Sequence, residues 1–181
     1  MDKVILSYIV LLFLFPVVSP AQAFKTETGH VEFHSTVPLH SFTGKSNHLV
    51  GKISLPDSTV DFYVDVHTLK TGIGMRDDDM METLDAENHS FADFYGKLIS
   101  SFDPTSSNVQ KATVRGKFSV HGVSKQVMIN GTMQQTEKGL QVKASWTLDM
   151  TDYKIKPPSI LFYRVSDTVD ISIDATLPNV K

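Results

Sequence analysis

Apolar and polar residues alternate one by one along five stretches of the chain. Val60, Phe62, Val64 and Val66 alternate with Asp61, Tyr63, Asp65 and His67. Val114, Phe118 and Val120 alternate with Arg115, Lys117 and Ser119. Val142, Ala144, Trp146, Leu148 and Met150 alternate with Lys143, Ser145, Thr147 and Asp149. Val169, Ile171, Ile173, Ala175 and Leu177 alternate with Asp170, Ser172, Asp174 and Thr176. A weaker run sets Val31, Phe33, Ser35 and Val37 against His30, Glu32, His34 and Thr36. Side chains along a strand point to opposite faces with period two, so each run has one wet face and one buried face. Strands of this kind with few helices to cover them must curl over their own apolar side, as a sandwich or a barrel.

Turn signals divide the pattern into about eight strands. Residues 24–29 read as a short leader. The first strand runs over 30–37 and ends at Pro38, and 40–47 is polar and reads as a turn. Strands follow over 48–55 and 58–69, the latter the longest. Residues 76–86 read as a helix with Met80, Met81 and Leu84 on one face, and Asp77, Asp78 and Asp79 suit its positive N-terminal end. Further strands are expected over 94–102, 111–120, 123–134, 141–150 and 168–177. His121-Gly122 turns one hairpin, and a long loop holds Pro157-Pro158.

The chain start changes the domain picture. Val4–Val18 is almost wholly apolar, Lys3 precedes it, and Ala21-Gln22-Ala23 is a small-x-small site. This reads as a secretory signal peptide over 1–23, with one domain over 24–181. The apolar run contains Pro16 and is short against the roughly 20 residues that span a bilayer, so the mature chain is not expected to insert stably in a membrane. There is no cysteine, which excludes disulfides and a lipid-modified cysteine, so stability must come from packing. The net charge of −3 comes from interspersed acids and bases, which gives nucleic acid no basic patch to bind.

Candidate chemistry is sparse. His30, Glu32 and His34 share a strand face at a spacing that suits a metal, but solvated residues look the same, and no metal is assigned. The acidic run 77–79 lacks the glycine and distal glutamate of a calcium loop. There is no Gly-x-Ser-x-Gly, cysteine nucleophile or phosphate loop, so neither an enzyme nor a cofactor is expected. Large inward residues (Phe33, Phe62, Phe118, Trp146) share their faces with small ones (Ser35, Gly51, Gly116, Gly131, Ala144, Ala175). Small inward residues leave space or let strands bend, so composition leaves a hollow and a filled interior both open.

Three blocks resemble the YceI-like family of exported bacterial proteins. The first is Thr71-Gly72, Arg76-Asp77 and Met80, then Leu84-Asp85-Ala86-Glu87. The second, the most specific, is the hairpin from Val114 to Val127 around His121-Gly122-Val123-Ser124-Lys125. The third is Asp152-Tyr153-Lys154-Ile155-Lys156-Pro157-Pro158 with Val165-Ser166-Asp167-Thr168-Val169-Asp170-Ile171. Asp79 stands where many members have histidine, and His89-Ser90 where the family usually has Tyr-Pro. The resemblance implies an all-β, eight-stranded antiparallel, lipocalin-like barrel with one short inserted helix, holding a long isoprenoid or fatty-acid derivative.

On that resemblance the ligand would lie against Phe33, Phe62, Val64, Phe118 and Val120, with Trp146, Leu148, Ile171 and Ile173 opposite. Met80, Met81 and Leu84 would form a lid or a plug, and Arg76 would meet a polar head group or pair with the neighbouring aspartates. The expected role is an exported, periplasmic or secreted, carrier of a long-chain apolar ligand, with oligomeric state open and a homodimer included. The rivals are a solid-core interaction protein and an enzyme of lipid or quinone metabolism.

Overall fold

The computed structural model describes residues 22–37, 40–156, 159–160, 163–164 and 167–180. The expected signal peptide over 1–23 lies outside these except for Gln22 and Ala23, and Pro157-Pro158 lies outside them as well. The strands are β1 Ala23–Val37, β2 His40–Ser54, β3 Thr59–Asp65, β4 Phe91–Leu98, β5 Gln110–Val120, β6 Val123–Thr136 and β7 Gly139–Asp149. Then come the short β8 Ser159–Ile160 and β9 Tyr163–Arg164, and finally β10 Thr168–Leu177. Eight strands close an antiparallel barrel in the order β1-β10-β7-β6-β5-β4-β3-β2, and β8 and β9 pair with each other. One helix, α1 Gly74–Thr83, is inserted between β3 and β4. Among the described residues no helix is long and apolar enough to cross a membrane.

The expected barrel with one helix is the observed one, and four local expectations need correction. Residues 24–29 are not a leader. They are the start of β1, with Phe24 opposite Ile53 and Thr26 opposite Gly51. Register shifts between Thr26, Gly29 and Val31 put an odd step into the inward face, so the alternation breaks there and hides one strand as two segments. Residues 40–47 are not a turn but the first half of β2, with Phe42 opposite Ser35 and Gly44 opposite Phe33. Their inward face carries Phe42, Gly44 and Ser46, which is too polar and small to read as a strand.

The stretch 58–69 is not the longest strand. β3 stops at Asp65, whose carboxylate accepts from the His67 N–H and starts a 3-10 turn over Val66–Thr68, while β1 and β2 have 15 residues each. The aspartates do not cap α1 as a group either. Only Asp77 lies in its first turn, and the N-cap Ile73 has no side-chain cap bond.

The His121-Gly122 turn has φ of 54° and 70° at its two residues. Positive φ at both central residues matches the right-handed twist of a two-residue hairpin. His121 holds the turn further, since its Nδ1–H donates to the Tyr153 carbonyl at 3.1 Å.

Val66, as deeply buried as Ile53, follows β3 at one end of the barrel. Phe24, Leu140 and Leu177 are fully buried at the other end, where β1 and β7 begin and β10 ends, with Ile53 and Met133 next to them bordering the lumen. The chain termini of the domain are tied across the same end, with Lys25 N–H bonded to the Pro178 carbonyl at 3.0 Å and Val180 N–H to the Ala23 carbonyl at 2.7 Å. That end is closed by packing.

Candidate apolar ligand site in the barrel lumen

The other half of the barrel is hollow. A cavity of about 320 Å³ opens inside it, within the range of small-molecule sites, which run from roughly 300 to 1,000 Å³. Its wall is almost entirely hydrocarbon. Twelve of the thirteen residues expected at the site lie on that wall: Phe33, Phe62, Val64, Arg76, Met80, Leu84, Phe118, Val120, Trp146, Leu148, Ile171 and Ile173. Met81 does not. It is half-buried against the core on the flank of α1, one residue round from the Arg76–Met80–Leu84 stripe. That stripe recurs at steps of four, which brings one face of a helix together over the cavity.

Of the small inward residues, Ser35, Gly131 and Ala144 border the cavity, whereas the glycines at 51 and 116 do not open it. A Cβ at Gly51 would fall inside the ring of Phe62, and one at Gly44 inside the ring of Phe33. Gly96 and Gly116 face each other across β4 and β5, with the Phe94 ring over both. Each glycine therefore lets an aromatic ring lie flat on the wall, and the hollow remains between the rings. Phe118 meets Trp146 and Tyr153 edge-on, both at 5.7 Å between ring centroids. Burial pushes the Tyr153 hydroxyl above the usual tyrosine range, so it stays neutral beside the cavity. Trp146 itself is half-buried and lines the lumen, and among the described residues its indole N–H has no hydrogen-bond partner.

Sequence reasoning missed several wall residues. Phe42 fell in the stretch read as a turn; the signal was its spacing of two from Gly44 and Ser46. Asp79 and Thr83 on α1 and Asp93 on β4 also border the cavity, as does Ser35, which the sequence places on the inward face without assigning it to the site. Thr132 and Lys143 also reach the cavity, where the β6–β7 ladder stops at Gly131 opposite Ala144.

Arg76 lies on the wall with its guanidinium 4.9 Å from the centre of the Phe42 ring. Among the described residues it makes no ion pair with the neighbouring aspartates, so the pairing expected as its alternative role is not formed. Asp77 instead turns back to Thr71. Its carboxylate accepts from the Thr71 N–H at 2.7 Å and from the Thr71 hydroxyl at 2.6 Å, fastening the start of α1 to the segment after β3. The Thr71 hydroxyl and N–H hold the Asp77 carboxyl below the usual aspartate range. A depressed folded-state pKa means the fastening is in force above the ordinary aspartate pKa and is lost as pH falls through the lowered value. Asp77→Ala is expected to loosen α1 and raise the ligand dissociation rate several-fold at neutral pH, read by stopped-flow tryptophan emission. An unchanged rate would show that α1 does not gate the lumen.

His30 and Glu32 approach to 3.5 Å while His34 bonds Thr43, and among the described residues no cluster of three metal-ligating side chains forms.

Among curated proteins none matches the chain. Solved structures do. A polyisoprenoid binding domain from Saccharophagus degradans, implicated in plant cell wall breakdown, superposes with a TM-score of 0.73 at 16% identity, covering 88% of this chain and 99% of its own. BcnA of Burkholderia cenocepacia gives 0.67 at 16% identity, with 81% and 94% covered. A YCEI protein of Campylobacter jejuni gives 0.55 at 16% identity, with 100% and 99% covered. At such identities the likeness is one of fold. The profile of the YceI-like domain matches residues 23–177, from the first residue of β1 to the last of β10, and the chain belongs to that family.

Proposed function

We propose that this protein is an exported binding protein that holds a long apolar ligand, an isoprenoid or a fatty-acid derivative, in the barrel lumen for transport, storage or sequestration. The observation that carries this reading is the hollow, hydrocarbon-walled half of the barrel beneath α1. Family membership supports it, as does the structural likeness to a domain named for polyisoprenoid binding. Burying a chain is favourable by about 0.8 kcal/mol per CH₂, so a dozen or so methylenes outweigh a modest entropy of association.

The cavity counts against the solid-core rival. Against the enzyme rival, no acidic or basic side chain among the described residues is buried. Gentle purification from the native source, organic extraction and mass spectrometry are expected to yield a long-chain species near one equivalent. Its absence from several mild preparations, with no uptake of added lipid, would favour a structural role.

Export to the periplasm, or beyond it, rests on the apolar run and the Ala21-Gln22-Ala23 site. Amino-terminal sequencing of the exported protein is expected to begin at Phe24. A mature form starting at Met1 would overturn cleavage.

A further inference from the structure

Ser35 is an anomaly of the lumen. It is only 2% exposed, it lines the cavity, and among the described residues its Oγ has no hydrogen-bond partner. A buried hydroxyl without a partner is unfavourable, and native structures seldom keep one without a use. Its surroundings suggest the use. Ser35 is the register partner of Phe42, so the two side chains stand side by side on the inner face. The Arg76 guanidinium lies over the Phe42 ring, and that ring meets Phe33 edge-on at 6.0 Å. A hydroxyl and a guanidinium thus flank one aromatic ring on an otherwise apolar wall, and all four residues border the same cavity.

We infer that Ser35 is the specificity-determining residue for a polar head on the ligand. Its hydroxyl bonds a neutral oxygen function, a carbonyl or a hydroxyl, at the end of the apolar chain, and Arg76 donates to the same head across Phe42. This inference rests on the lumen being the ligand site. The head is neutral because of the charge around it. Asp79 lines the cavity on α1 with Arg76, while Lys143, the other cation against the cavity wall, is engaged by Asp174 at 2.8 Å. An anionic head would gain one cation and meet the Asp79 carboxylate beside it, whereas a neutral acceptor gains both donors without that repulsion.

The test uses delipidated full-length mature protein and three chain-matched probes delivered from cyclodextrin: hexadecane, hexadecanamide and hexadecanoate. Binding is read from Trp146 emission. Wild type is expected to bind the amide about tenfold more tightly than the alkane, as one additional net hydrogen bond provides, and the carboxylate no more tightly than the amide. Ser35→Ala is expected to abolish the roughly tenfold preference for the amide over the alkane. Arg76→Gln is expected to narrow the preference for the amide over the alkane several-fold. Without ligand, Ser35→Ala is expected to melt at or above the wild-type temperature, because it removes a hydroxyl that nothing satisfies. Equal binding of amide and alkane by wild type, or an amide preference that survives Ser35→Ala, would overturn the role of Ser35 and leave the lumen reading standing. A lowered melting temperature of unliganded Ser35→Ala would overturn it too, by revealing an internal partner. Tighter binding of the carboxylate would overturn the neutral head, and failure of all three probes would overturn the lumen site itself.

Discussion

Phe24→Ala is expected to lower the free energy of unfolding by about 3–5 kcal/mol, as large-to-small changes at fully buried aromatics do. Phe24 is fully buried at the closed end of the barrel, opposite Ile53 and bridged to Asn179. Leu140 and Leu177, fully buried at the same end, leave no room for collapse into solvent, so truncation leaves a new cavity in a packed part of the barrel. Trp146→Ala is the matched control. Its ring is larger, but it already borders empty space, so its loss removes fewer contacts and is expected to destabilise the unliganded protein less than Phe24→Ala. It is expected instead to weaken ligand binding. Urea unfolding of both variants, with and without ligand, separates the two behaviours. A larger stability loss at Trp146 than at Phe24 would mean that the lumen is collapsed around the indole in solution.

Ala144→Phe is expected to abolish binding of a long apolar ligand, by a factor of a hundred or more, while leaving the unliganded protein as stable as wild type or more so. Ala144 lies on the cavity wall between Trp146 and Val142, with Ile173 as its cross-strand partner. A ring placed there would occupy space that the ligand needs. In a close-packed interior the same substitution would cost about 1–3 kcal/mol through overpacking. The sign of the stability change therefore reports whether the barrel is hollow, independently of which ligand is offered. A destabilised variant that still takes up lipid would contradict the position of the cavity.

The inward faces of β3, β5, β7 and β10 were legible because uninterrupted alternation is a local property: each residue needs only its own parity. Phe62, Val64, Phe118, Val120, Trp146, Leu148, Ile171 and Ile173 all stand on the cavity wall where their parity puts them. β1 and β2 were legible only in their second halves, over 30–37 and 48–54. A bulge changes parity at Gly29, and the polar run around Gly44 takes its place in the wall through the Phe33 ring across the ladder. Neither fact is local, since both concern a partner strand.

By itself, the sequence determined an all-β chain with one inserted helix, its inward residues and, through the three motif blocks, the family. Local periodicity and short motifs are enough for that. Only the tertiary structure decided which half of the barrel is filled. Whether Gly51 or Gly116 leaves a void depends on whether a ring from the next strand, Phe62 or Phe94, lies over it. It also decided that Met81 turns away from the lumen while Met80 and Leu84 face it, which depends on how α1 is rotated over the opening. And it brought Ser35, Phe42 and Arg76 from three separate elements to one patch of wall, a juxtaposition set by register and closure that no spacing along the chain encodes.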